Sequence, residues 1–196
     1  MFAGRIVVMG RDCEHCGKPL KLATTGRPKR FCGQTCRKAS NRSLGVPRSL
    51  LSAPRWVRHY RKRPLTVEGR AASVTDPRSW STFPDVRTSR AGHGIGFVLG
   101  DGIGCLDFDN VINDEGQLDP RVQTLLESLP ATWIEVSPSG RGLHVWGLLP
   151  EGPGKIVYRN GVRVERYSAR RYVTVTGRRW ENSPLVLGDL SAAMSW

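Results

Sequence analysis

The sequence contains no apolar run of 18 or more residues, which excludes an ordinary transmembrane helix. Its N-terminal apolar patch, Ile6-Val7-Val8-Met9, is much shorter than the core of a secretion signal. A soluble, cytoplasmic protein without membrane partners is therefore expected. Met9 is as good a start as Met1, since nothing before Asp12 carries a structural signal. Acidic side chains are nearly missing from the first third: residues 1–65 hold 2 Asp/Glu against 16 Lys/Arg, whereas residues 66–196 hold 15 against 14. Cysteine is sparse, five in 196 residues, and four of the five fall between positions 13 and 36. No Walker A run is present, and neither a nucleophilic-tyrosine motif nor a histidine pair stands out.

The composition, 39% hydrophobic, suffices for one buried core, and the length fits one ordinary domain plus a small module. The basic first third, carrying all of the net charge of +13, steers toward polyanions and above all nucleic acid. Its cysteines read Cys13-x2-Cys16, fifteen residues, then Cys32-x3-Cys36. In a chain without a secretion signal this spacing favours four thiolates on Zn²⁺ over two disulfides. His15 is a further potential ligand but falls between two better ones, and Gly17 permits a tight turn beside the sulfur atoms. Lys18, Lys29, Arg30 and Arg37 offset the charge of the thiolates, and Cys32 to Asn41 opens like a helix. The expected division is a basic zinc-knuckle or treble-clef-like module over 1–45, a Ser/Asn/Gly/Pro linker over 46–55, and a catalytic domain over 56–196.

In the larger segment, Trp56 to Pro64 alternates aromatics with bases. It suits either stacking on nucleobases or a short helix that packs Trp56 and Tyr60 on the core. Asp76-Pro77 and Asp119-Pro120 signal helix starts, the second followed by Val122, Leu125, Leu126 and Leu129 on one face. Cys105 reads as a small core residue. Between these lies Cys105-Leu106-Asp107-Phe108-Asp109, in which strand alternation turns both aspartates to one face, a spacing suited to divalent cations. Two strands, Thr132 to Val136 and Leu143 to Gly147, flank Ser137-Pro138-Ser139-Gly140-Arg141-Gly142, whose glycines allow backbone amides to approach an anion. His144 leaves that loop directly. Glu165, in the strand Gly161 to Tyr167, is the expected third carboxylate, with Glu135 as the alternative. Arg141, Arg178 and Arg179 are candidate triphosphate clamps.

The ordered set Asp107-x-Asp109, Ser139-Gly140-Arg141-Gly142-Leu143-His144 and Glu165 resembles the three motifs of the archaeo-eukaryotic primase superfamily, in its bifunctional primase-polymerase branch from phages and plasmids. The likeness extends to Lys62-Arg63-Pro64, Asp76-Pro77-Arg78-Ser79-Trp80, Gly94 to Leu99, Glu135 to Gly140 and Thr176-Gly177-Arg178, covering about residues 50–185. It implies an α+β fold with an RRM-like antiparallel or mixed sheet. It also implies Mg²⁺ or Mn²⁺ on Asp107, Asp109 and Glu165, and nucleotide contacts from Ser139, Gly140, Arg141, His144 and Arg178. The expected activity is template-directed nucleotidyl transfer on single-stranded DNA from nucleoside triphosphates in phage or plasmid replication, with a separate helicase as partner. Two other classes remain: a non-catalytic nucleic-acid-binding replication or regulatory protein, and a metal-dependent nuclease.

Overall fold

A computed structural model describes residues 13, 16, 18–20, 29–42 and 45–195. The described chain is α+β, with mostly antiparallel strands. Near the N-terminus, α1 (Gln34–Arg42) follows directly on Cys32, where a helix is expected. The stretch expected to be a linker is not a plain spacer. It carries the short α2 (Arg48–Ser52), and its Val46 and Leu50 are buried in the same core as Trp56. The Leu50 carbonyl also accepts the indole N–H of Trp56 at 2.9 Å.

Trp56 to Tyr60 forms β1 rather than a helix. The Val57 and Trp56 side chains are both buried, so the strand is covered on both faces, and only Tyr60 at its end is exposed. It pairs with β2 (Arg63–Leu65) and β3 (Gly94–Val98). The four-stranded sheet runs β2-β1-β3-β9, with β9 at Tyr172–Val175. Asp76 caps a 3₁₀ turn over Pro77–Ser79, and α3 (Phe83–Thr88) starts on a reciprocal cap between Thr82 and Asp85. Phe83 packs edge-on against Trp56 in the core, while Trp80 is half-buried under the guanidinium of Arg55.

The second sheet has six strands. Its path is β10-β6-β4-β8-β7, with β5 also paired to β6. These are β4 (Ile103–Phe108), β5 (Trp133–Val136), β6 (Leu143–Leu148), β7 (Lys155–Arg159), β8 (Val162–Tyr167) and β10 (Gly188–Asp189). The strands thus divide into two sheets, where one central sheet is expected from the resemblance. Asp119 caps α4 (Pro120–Ser128), whose Val122 and Leu125 are buried in a core shared with Leu106, Phe108, Leu143 and Val164. Cys105 is buried as expected.

The chain passes between the sheets three times, from β3 to β4, from β8 to β9 and from β9 to β10. Arg55 braces the first crossing: it donates to the Val98 and Leu99 carbonyls at 2.8 Å each and pairs with Asp101 at 2.7 Å. Among the described residues, no helix is long and apolar enough to cross a membrane.

Candidate active site

The register of the six-stranded sheet puts five side chains in one row. Asp107 on β4 lies opposite His144 on β6 and Glu165 on β8; beyond His144 is Glu135 on β5, and beyond Glu165 is Ile156 on β7. Strand alternation turns Leu106, Phe108 and Val164 to the other face, where they are buried. Apolar packing on one side therefore fixes the register that lines up the polar groups on the other.

Within the row, environment separates the carboxylates. Burial pushes the Asp107 pKa up, against the opposing charge of His144 and with the like charges of Asp109 and Glu165. Its Oδ1 is buried with no hydrogen-bond partner, and the His144 Nε2 is 3.8 Å away. An unpartnered oxygen on a buried, crowded carboxylate is a position that a cation would stabilise. Asp109, one turn of the pleat further on, is exposed, with Arg163 at 3.9 Å. Glu165 differs: Tyr167 donates to its Oε2 and Arg163 to its Oε1 at 2.5 Å, and the tyrosine bond foremost holds its pKa down. Both of its oxygens are engaged, so it would have to exchange these partners to ligate a metal.

Glu135 has the opposite surroundings and is fully buried. Its Oε1 accepts from His144 Nδ1 at 3.1 Å and from the Trp146 indole at 3.2 Å. Its Oε2 accepts from the Thr176 amide at 2.9 Å, the Thr176 hydroxyl at 3.0 Å and the Gly177 amide at 2.9 Å. With every lone-pair direction engaged and no access to solvent, this carboxylate does not share the cleft with Asp107. Burial alone would lower the His144 pKa, but the hydrogen bond with Glu135 and the charges of Glu135, Asp107 and Asp109 outweigh it and raise the value.

Asp107 and His144 from this row line a cleft of about 730 Å³ between the two sheets, whereas Glu165 is not among its lining residues. Asp107, Asp109, His144, Tyr167, Ser137 and Ser139 form one wall; Tyr172, Thr174, Lys62, Arg170 and Arg171 form much of the other. The cations are not the expected ones. Arg141 points away to pair with Asp114 at 2.7 Å, and the Arg178 guanidinium is tied to the Ser137 carbonyl. Neither Arg141, Arg178 nor Arg179 lines the cleft. Arg171 instead lies 3.8 Å over the Tyr167 ring, and Arg170 sits in the β8–β9 crossing with a positive φ of 53°. Of the expected anion-binding amides, Gly140 donates to the Ser137 carbonyl at 3.0 Å and Arg141 to the Ser139 hydroxyl at 3.2 Å, closing the turn on itself. Gly142 is required by space: a Cβ there would meet the Phe108 carbonyl oxygen at 2.5 Å, so only glycine lets the loop lie against the strand that carries the aspartates.

The cysteines form a second site. The sulfur atoms of Cys13, Cys16, Cys32 and Cys36 all lie within 4.8 Å of one another, and among the described residues this is the compact cluster of metal-ligating groups. The Cys16–Cys32 and Cys32–Cys36 separations are 3.7 and 3.4 Å, against an edge of about 3.8 Å for a tetrahedron with Zn–S bonds of about 2.3 Å. The Cys32 amide donates to the Cys13 sulfur at 3.4 Å. Hydrogen bonding with Cys32, more than burial, pushes the Cys36 thiol up to about 12. Four crowded thiols of this kind fit a divalent ion that would take the place of their protons. His15 and Gly17 lie outside the described residues.

No protein-family model matches the chain. Over 138 residues it is 32% identical to a protein named DNA Primase-polymerase from Nitratiruptor phage NrS-1, a match that takes in 62% of this chain. It spans 19% of that protein, about a fifth of its length. The sequence likeness supports a relationship between this chain and the primase-polymerases.

Proposed function

We propose that the chain is a primase-polymerase catalytic domain with a basic zinc module, carrying out template-directed nucleotidyl transfer on single-stranded DNA. The observation that carries this reading is the row of Asp107, His144 and Glu165 across three paired strands, of which Asp107 and His144, together with Asp109, line a cleft whose far wall holds Lys62, Arg170 and Arg171. Asp107 and Asp109 would hold Mg²⁺ or Mn²⁺, with Glu165 joining after release from Arg163 and Tyr167. Bound there, the cations would supply a lowered pKa for the attacking 3′-hydroxyl and charge compensation for the leaving pyrophosphate.

The side chains do the positioning. The Glu135 carboxylate at Nδ1 favours the imidazolium of His144, whose Nε2–H points toward Asp107 and the cleft, where it can donate to a phosphate oxygen. Glu135, reassigned from alternative metal ligand to positioning residue, accepts the Nδ1–H and so keeps Nε2 directed at Asp107 and the cleft. Lys62, Arg170 and Arg171 take over the triphosphate clamp expected of Arg141 and Arg178. Ser139 stays in the cleft wall as a hydroxyl donor, while Gly140 and Gly142 shape its loop. Zn²⁺ on Cys13, Cys16, Cys32 and Cys36 would order the basic module that holds template.

Incubating the protein with single-stranded template, Mg²⁺ or Mn²⁺ and labelled nucleotides tests the assignment. Products longer than the input support transferase chemistry. Shorter fragments would assign the acids to a nuclease, and binding without turnover in either direction would leave a nucleic-acid-binding replication protein.

A further inference from the structure

The face that carries the acids continues past Glu165 onto β7, which is an edge strand of the six-stranded sheet. There Ile156 is 54% exposed and Tyr158 is 71% exposed, two of the few large apolar side chains open to solvent among the described residues. Ile156 stands opposite Glu165, and Tyr158 opposite Arg163, on the same face as Asp107. We propose that Tyr158 and Ile156, with Arg163 beside them, seat one nucleic-acid strand whose terminus lies at the aspartates. This seat rests on the nucleotidyl-transfer reading of the same face.

Three observations fit that occupant. An exposed aromatic ring beside a cation combines a stacking surface for bases with counter-charge for the backbone, and Arg163 stands directly across from Tyr158 on the same face. Distance also fits: Ile156 is two strands from Asp107, about 10 Å at a spacing of about 4.8 Å, which is about three stacked nucleotides at roughly 3.4 Å each. Finally, the edge is poorly suited to a second copy of itself. Antiparallel self-pairing about Val157 would set Lys155 opposite Arg159 at both ends, and like charges placed directly across a pair of strands repel.

The test uses the full chain and single-stranded DNA carrying 5-iododeoxyuridine either within three nucleotides of the 3′ end or ten nucleotides away. Ultraviolet crosslinking is expected to attach the near-end probe, and not the distant one, to the peptide containing Tyr158. Tyr158→Ser is expected to weaken use of the primer strand about 5- to 150-fold, the equivalent of one lost stack, with the melting temperature and the KM for nucleotide unchanged. Crosslinks confined to other peptides, together with unaltered primer use, would overturn the proposal. So would a wild-type dimer in sedimentation that Tyr158→Ser splits into monomers, since that assigns the face to a second copy. If the wild-type chain adds no nucleotides, the parent reading fails, while the crosslink position still decides whether a strand lies on β7.

Discussion

Replacing Glu135 by glutamine tests the internal support of the site most directly, because it keeps the shape and removes one acceptor. The carboxylate accepts five hydrogen bonds, two on Oε1 and three on Oε2. A glutamine amide group placed at Oε2 would meet two backbone N–H groups that cannot turn away. It therefore settles at Oε1, facing His144 and Trp146. His144 can adapt by changing tautomer, but the buried Trp146 indole N–H is left opposite another donor. One unsatisfied buried donor costs about 1–3 kcal/mol, and charge-assisted bonds weaken as well, so a loss of about 2–3 kcal/mol is expected. For a chain of this size that is a fall of roughly 4–12 °C in melting temperature. The function should suffer separately: with Nδ1 turned acceptor the ring is neutral, Nε2–H still donates but without charge assistance, and the difference of about 1–1.5 kcal/mol lowers kcat/KM roughly 5- to 13-fold. Calorimetry, primer extension and the ¹⁵N shifts of the His144 ring together provide the assay. A glutamine variant that melts with the wild type and leaves both ring nitrogens unshifted would refute the network.

Further outcomes follow from the same geometry. Asp109→Asn is expected to lower nucleotide incorporation about a thousandfold or more while leaving melting and DNA binding intact; near-wild-type extension would remove it from the metal site. Asp107→Asn should abolish activity yet raise the melting temperature without metal, because burial raises the folded pKa of Asp107, so its ionised form at neutral pH destabilises the fold. Calorimetry showing a lower midpoint would contradict that. Removing residues 1–44 should leave a folded remainder with weaker, less salt-dependent binding to single strands. Removing 1–55 also strips Val46 and Leu50 from the core and should cost several kcal/mol more, on the order of 2–5 for each buried leucine-sized side chain lost. Equal denaturation midpoints for the two truncations would restore the plain-linker reading. Cys13→Ser, or a strong chelator, should release one equivalent of zinc and mimic the shorter truncation in binding, as checked by metal analysis and fluorescence anisotropy.

Much of this site is legible from strand parity. The alternation around Asp107 and Asp109, the hairpin that delivers His144, and the strand bearing Glu165 are local patterns, and the sheet register then brings Asp107, His144 and Glu165 together. The reading of α4 from Val122 and Leu125 rests on the same kind of periodicity. Residues whose role depends on another part of the chain were not legible. Trp56 and Tyr60 suggest a helix face because they are four apart, yet β1 is covered on both sides and carries no alternation to reveal it. Glu135 has the parity of a ligand, and only the end of β9 folding over it makes it an internal acceptor. Arg170 and Arg171 reach the cleft because the β8–β9 connection changes sheets, which no spacing within that segment announces.

The five-strand row also limits how the gene can vary. A single-residue insertion or deletion inside β4, β6 or β8 would turn every later side chain of that strand to the opposite face, moving an acid or His144 into apolar packing and a leucine or valine into the cleft. Length changes are thus confined to exposed turns between the strands, such as 113–117, where added residues leave the pairing of the row untouched. Relatives that keep this chemistry should differ freely in loop length while holding the interval from Ile103 to Phe108 constant.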